Sequence, residues 1–530
     1  MRKVSRLLAG GLAAAVWCGA AWGAAGARAA GVDKKARERA ERTLRSGEFE
    51  AAEKMFREIL AKDARDAQAR LGLSHALLKQ RKHFDAYDQA ARVVAADPLS
   101  ARGHALLGTA LLAAGDFRLS VEEFRTALTI RENDAMAIAG LAMVDFYENR
   151  MAASLSGLRR AAFIDPGEPD YVFNLGQVAS RFERYAEAAA AYETFLRVAP
   201  RTDADRRARI QGLIDFLRYL GQQRDLLAVA GTSRAVIPFE LVNNRPLVEV
   251  RVNGSRETLK FVIDTGAGMC VLSTAAAGRL GLRPVARGGQ ARAVGGAGRF
   301  EIIYGFLQSL HLGEARIDRV PVYIRQFFND KEPVDGYIGL TILGKYLTTV
   351  DYAGRAMTLL RDEALREAPP PGPGAVEIPM RTTSSGFWSG EVRLEGVEKP
   401  ANFIIDTGAS VTVVSEALAA REGLDRYEQK QVIRVYGAAG LAENIRTLTL
   451  PSLALTPTHV RRHVYAAILD MTTLNETAGF EQAGIVGGNI LRHYRVTFDF
   501  ARGVVRLEPN RAGAPAEEPR AAPPVVSSQP

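Results

Sequence analysis

The sequence predicts a multidomain chain of α and β type: an all-α solenoid of helical repeats over residues 33–221, followed by two all-β lobes at 235–365 and 376–509. Three observations carry that division. Small residues and prolines recur every 34 positions in the first part. From Ala235 the pattern changes to short β-branched runs with alternation, such as Leu247 to Val252 and Leu259 to Ile263. The run Ala368-Pro369-Pro370-Pro371-Gly372-Pro373-Gly374 then cuts the second part in two; its composition cannot sustain helix or sheet hydrogen bonding, so 366–375 reads as a linker.

The first thirty residues stand outside the fold. Arg2, Lys3 and Arg6 precede an apolar run from Leu7 to Ala25 and small residues around Ala27-Arg28-Ala29, the pattern of an export signal. Its removal is expected, with retention as a membrane anchor the alternative, and it implies a periplasmic or secreted protein of bacterial type with no membrane span after removal. The segment carries four basic residues and no acidic one, so the formal charge falls from +9 to +5 without it. That balance is spread thinly, and no nucleic-acid footprint is expected. Of two cysteines only Cys270 then remains, which excludes an intramolecular disulfide and a cysteine-rich zinc site. At the other end, 510–530 is rich in Ala, Pro and Ser and is expected to be disordered.

Inside the helical part, Pro98, Pro166 and Pro200 lie on the 34-residue grid. So do Ser74, Gly108, Ala142 and Gly176, and likewise Ala52, Ala86, Ser120, Ser154 and Ala188; Phe56, Phe124, Leu158 and Tyr192 fill a further slot, with Ala90 as the exception. The pattern resembles the tetratricopeptide repeat, about five units of two antiparallel helices with small residues where they touch and a proline at the turn. Asp203 to Gly221 reads as the capping helix. The resemblance implies a concave groove that binds a protein or peptide partner.

The two β lobes repeat each other. Phe261-Val262-Ile263-Asp264-Thr265-Gly266-Ala267 matches Phe403-Ile404-Ile405-Asp406-Thr407-Gly408-Ala409 at an offset of 142, and Val271, Ser273, Gly281, Gly295 and Gly298 find Val413, Ser415, Gly423, Gly437 and Gly440 at the same offset. After six further residues in the second copy, Ile338-Gly339 aligns with Val486-Gly487 and Asp351-Tyr352 with Asp499-Phe500. One Asp-Thr-Gly tripeptide in a chain this long arises by chance roughly once in five to ten. Two in one register, each behind a buried-strand pattern, do not.

These lobes resemble the pepsin and retroviral-type aspartic peptidases, specifically the bacterial retropepsin-like branch. The resemblance implies an aspartic endopeptidase in which Asp264 and Asp406 form one catalytic pair, supported by Thr265, Gly266, Thr407 and Gly408, without metal or cofactor. Two carboxyls so close cannot both ionise cheaply and share a proton. One takes a proton from attacking water while the other donates to the peptide carbonyl. The glycines allow close approach of the opposite lobe, and the threonine hydroxyls are expected to tie the loops together. Pepsin-like sites commonly carry Ser or Thr after Asp-Thr-Gly; here stand Ala267 and Ala409, which removes a donor to the charged form and predicts activity nearer neutral pH.

The stretches Gly295, Gly296 and Gly298, and Tyr436, Gly437 and Gly440, read as hairpin flaps that close over an extended substrate. Tyr436 is either a substrate contact or an exposed turn tyrosine. His459 and His463 lie four apart but in β-like sequence, and are not taken as metal ligands. Cys270 reads as a core thiol. The chain is expected to be a monomer whose lobes pair with each other, pairing with lobes of another chain being the alternative. The rival to the peptidase is a non-catalytic repeat scaffold that retains a relict fold.

Overall fold

A computed structural model describes residues 26–202, 204–292, 299–328, 334–368, 370–437 and 440–510. Residues 1–25 of the expected export signal, the tail from 511, and the expected flap residues Gly295, Gly296 and Gly298 lie outside that set. Eleven helices run from Gly26–Arg45 to Ala204–Gln222, followed by strands and a few short helices. None of the described helices is long and apolar enough to cross a membrane.

The helical repeat is written into its turns as well as its faces. Asp66, Ser100, Asp134 and Glu168, each 34 residues apart, stand at helix N-caps, where each side chain accepts a hydrogen bond from a free first-turn amide. Between the two helices of successive units, Gly47, Arg81, Gly115, Asn149 and Glu183 adopt left-handed backbone at φ values of 87°, 61°, 83°, 62° and 56°. That conformation ends a helix and turns the chain at no steric cost for glycine, and at some cost for arginine and glutamate. Where helices touch, aromatic rings lie on glycines: a Cβ on Gly108 would meet Phe124 at 2.8 Å, and one on Gly176 would meet Tyr192 at 2.8 Å. The solenoid nearly closes on itself, since Gly47 packs against Pro200 and Thr202, and Lys79 crosses to Glu168 and Asp170 at 2.6 and 2.7 Å.

The β part contains a nine-stranded sheet in the first lobe and an eight-stranded sheet in the second. A six-stranded sheet joins them, with three strands from each: Arg234–Pro238, Leu347–Asp351 and Ala356–Leu360 face Val376–Pro379, Tyr494–Asp499 and Val504–Pro509. At its centre Leu347–Asp351 pairs antiparallel with Tyr494–Asp499. There the buried hydroxyls of Thr349 and Thr497, equivalent positions in the two lobes, lie 2.9 Å apart. One apolar core runs from Ile237 and Phe261 in the first lobe through Val350 and Val496 to Phe403 and Leu450 in the second.

The solenoid is packed on these lobes along its left-handed turns. Arg81 donates to the Asn475 carbonyl at 2.9 Å, the Gly115 carbonyl accepts from Asn402 at 3.4 Å, Asn149 donates to the Phe500 carbonyl at 3.3 Å, and Glu183 pairs with Lys345 at 2.8 Å. Phe480 of the second lobe enters the helical core, edge-on to Phe117 and Tyr147 at 4.9 and 5.1 Å between ring centres. Arg381 lies over the Phe117 ring, 4.1 Å from its centre. Removing so buried a ring costs about 3–5 kcal/mol. Phe480→Ala is therefore expected to uncouple the two parts, splitting one urea transition into two. Fluorescence of Trp388, the single tryptophan beyond the first thirty residues, follows the lobes, while helical circular dichroism follows the solenoid.

Candidate active site

Each Asp-Thr-Gly turn is delivered by a buried strand. Leu259–Ile263 pairs in parallel with Gly336–Ile338, and the Asp264 amide donates to the Ile338 carbonyl at 3.0 Å. Ala401–Ile405 pairs in parallel with Gly484–Val486, and the Asp406 amide donates to the Val486 carbonyl, also at 3.0 Å. The strands that end at Ile338-Gly339 and Val486-Gly487, aligned between the lobes, are thus those against which the acidic turns are set.

The two turns meet face to face. The Thr265 amide donates to Thr407 Oγ1 at 3.1 Å and the Thr407 amide to Thr265 Oγ1 at 3.0 Å. Each hydroxyl then donates onward across the interface, Thr265 to the Ile405 carbonyl at 2.7 Å and Thr407 to the Ile263 carbonyl at 2.6 Å. Both threonines are fully buried. The glycines sit where no side chain fits: a Cβ on Gly266 would lie 2.4 Å from Asp406 Oδ2, and one on Gly408 would lie 2.5 Å from Asp264 Cγ. Each carboxyl therefore rests against the turn of the opposite lobe.

The carboxyls are not equivalent. Asp264 Oδ1 accepts from the Gly266 amide at 2.8 Å, whereas Asp406 Oδ1 accepts from both Gly408 and Ala409, at 2.7 and 3.2 Å. Burial, then the adjacent Asp406, pushes Asp264 well above the usual carboxylate range, with the Gly266 amide and the Arg325 guanidinium pulling weakly back. Burial raises Asp406 as well, but the backbone donors and the bond from Asp264 offset part of it. The second amide on Asp406 favours its charged form more than the single amide on Asp264 does.

Other predicted positions separate. Tyr436 is 44% exposed and pairs with Leu441 in the second-lobe hairpin, where Gly437 pairs with Gly440. In the first lobe the hairpin base is held by the capping helix: a Cβ on Gly212 would lie 1.9 Å from the Arg287 carbonyl oxygen, and Phe216 stacks on Tyr304 at 4.4 Å. His459 and His463 lie on the strand His459–Leu469, without helical spacing. Cys270 is buried beneath the first turn, accepts from the Gly339 amide at 3.4 Å, and burial pushes its thiol up to about 11.

Two nearby residues escaped the sequence reading. Arg325 lies opposite Ser273 in the first lobe, at the place that Leu469 takes opposite Ser415 in the second; comparing the lobes strand by strand finds it. Arg181 comes from the solenoid and had no signal in the sequence.

Residues 248–342 and 390–490 match the family model described as aspartyl protease, and residues 43–109 match a tetratricopeptide repeat model. Each β lobe thus matches the aspartyl protease model, behind a segment that matches the tetratricopeptide repeat. No curated protein matches the chain. Solved structures are similar to parts of it. A thermophilic repeat protein of Thermus thermophilus is 20% identical, with a TM-score of 0.30 over 34% of this chain and 98% of that one. MamA of Desulfovibrio magneticus is 20% identical, at 0.24 over 32% and 97%. Pseudomonas aeruginosa pilF is 16% identical, at 0.28 over 37% and 87%. At such scores nothing about function follows.

Thr407→Val removes one crossed hydroxyl and leaves the Thr265 amide and the Ile263 carbonyl without their partner in a buried site. A loss of about 1–3 kcal/mol per unsatisfied group is expected in urea denaturation. A second expectation concerns pH. Asp264 binds its proton more tightly folded than unfolded, so its contribution to stability is complete below about pH 4 and is lost as pH rises through the folded value. Asp264→Asn should therefore gain in thermal midpoint over the unsubstituted chain at pH 7, with the difference vanishing near pH 4.

Proposed function

We propose that this chain is an aspartic endopeptidase acting through Asp264 and Asp406. The observation that carries the reading is the pair of carboxyls at the ends of buried strands, each set against the opposite turn over crossed threonine bonds. Ionised Asp406 takes a proton from a water molecule as its oxygen attacks the peptide carbonyl carbon. Asp264 gives its proton to the carbonyl oxygen, forming a diol. Asp406 then returns a proton to the leaving nitrogen as the carbon–nitrogen bond breaks, and Asp264 recovers one from the diol. No covalent intermediate with the protein is formed.

The substrate is an extended polypeptide lying between the lobes beneath the hairpins. The repeats supply a second element of recognition for a protein partner or substrate, and the basic-apolar start of the sequence directs the protein to an exported compartment. Burial raises both carboxyls, and Ala267 and Ala409 bring no hydroxyl to them, so the optimum belongs well above pepsin's acid range.

The test is a peptide-library digest across pH with the intact chain, Asp264→Asn and Asp406→Asn. Each substitution is expected to lower kcat/KM by at least about 10²–10⁴-fold. Cleavage that survives either change contradicts the shared pair, and an optimum below about pH 3 contradicts the expected shift toward neutral pH. No cleavage at any pH by the intact chain favours the scaffold.

A further inference from the structure

A cavity of about 2140 Å³ runs from the inner side of the solenoid to the first acidic turn, and Asp264, Gly266, Tyr323 and Arg325 line it together with solenoid residues. Most charges that the solenoid places there are already answered. Lys79 is held by Glu168 and Asp170, and at the second lobe Arg421 is held by Glu481 at 3.1 Å.

Arg181, the most deeply buried of the arginines there that no carboxylate holds, differs. It closes the helix Pro169–Arg181 and lines the same cavity. One guanidinium nitrogen donates to Thr382 Oγ1 at 3.1 Å, and among the described residues no carboxylate pairs with it. Burial pulls its pKa below the ordinary arginine value, opposed by the Tyr323 phenol alone. A guanidinium offers five donors in a planar fork, and a largely desolvated cation without a counter-ion is destabilising. Such a group has its use when an anion arrives.

Its position says which anion. A Cβ on Gly386 would lie 2.4 Å from Arg181 Nη2, so the guanidinium rests on the Ser385-Gly386 turn. That turn in turn rests on the first acidic loop, since a Cβ on Gly268 would lie 2.6 Å from the Ser385 carbonyl oxygen. Gly268 follows Gly266 by two residues, and the Gly268 carbonyl accepts from Thr341 at 3.1 Å. Arg181 thus stands one turn away from the active-site loop, on the wall of the space that a polypeptide would occupy. The anions a polypeptide brings are carboxylates, whose two oxygens match the guanidinium fork.

We propose that Arg181, a residue of the repeat domain, is a specificity-determining residue that binds a carboxylate of the polypeptide in the cleft. The inference rests on the peptidase reading for the identity of its ligand. The solenoid then completes a subsite of the cleft, and peptides with an acidic side chain at one fixed distance from the bond, or with a free C-terminus there, are preferred.

Binding separates this inference from catalysis. The full chain carrying Asp406→Asn is titrated into fluorescein-labelled dodecapeptide pools with Glu or Gln at one scanned position, each as free acid and as C-terminal amide, and followed by anisotropy. A charge-assisted pair predicts about ten- to hundredfold tighter binding of the carboxylate-bearing pool. Arg181→Gln should erase the ratio and Arg181→Lys should keep part of it. A Glu-over-Gln preference assigns the side chain as the source, and an acid-over-amide preference assigns the terminus. Equal affinity for all pools, no binding of any pool, or a preference that survives Arg181→Gln overturns the proposal. If Arg181→Gln fails to fold by circular dichroism, the partial loss in Arg181→Lys decides. A carboxylate preference in a chain that cleaves no peptide sinks the peptidase reading alone.

Discussion

Everything at the centre of the molecule depends on four hydrogen bonds between two threonines and the strands opposite them. An acidic side chain on a tight turn has no reason to stay beside another one, because charge repulsion and desolvation both drive them apart. The crossed bonds of Thr265 and Thr407 supply the restraint through the backbone: each hydroxyl accepts from one amide of the other lobe's turn and donates to a strand carbonyl beyond it. Gly266 and Gly408 are necessary for the same reason, since any side chain there would enter the volume of the opposite carboxyl. Symmetry ends at the amides. Ala409 adds a donor to Asp406 that the first turn does not give Asp264, which favours charge on Asp406.

The lobes are tied at a second level by the shared six-stranded sheet. The Thr349–Thr497 contact sits at its middle, far along the chain from the acidic turns but on the same pseudo-symmetric arrangement. A continuous apolar core therefore passes beneath the cleft, and the lobes behave as one folded body. The Pro- and Gly-rich segment between them spans a gap that the sheet itself has already fixed.

Much of this was legible in the sequence, because both architectures repeat and repetition exposes local chemistry. The 34-residue grid revealed which faces of the helices are small, and the offset of 142 revealed that Asp264 and Asp406 belong to equivalent turns. The left-handed turns lie on the same grid, yet Gly47, Arg81, Gly115, Asn149 and Glu183 share a backbone angle and no side-chain type, so inspection of residues passes over them. The seating of the solenoid on the lobes was not legible either. It joins Phe480 to Phe117 and Arg181 to Thr382, pairs hundreds of residues apart whose partners recur nowhere else in the chain. The proposed roles of Gly295, Gly296 and Gly298 fall on residues outside those described.

The turns of the solenoid carry a consequence for how such a chain can change. Arrays of helical repeats ordinarily gain and lose units with little harm, since each unit touches only its neighbours. In this molecule successive units present Arg81, Gly115, Asn149 and Glu183 to four different places on the lobes. Inserting or deleting one unit would carry every later turn past its partner by a full step. The array is held at its present number of units, like a key whose notches have been cut for one lock.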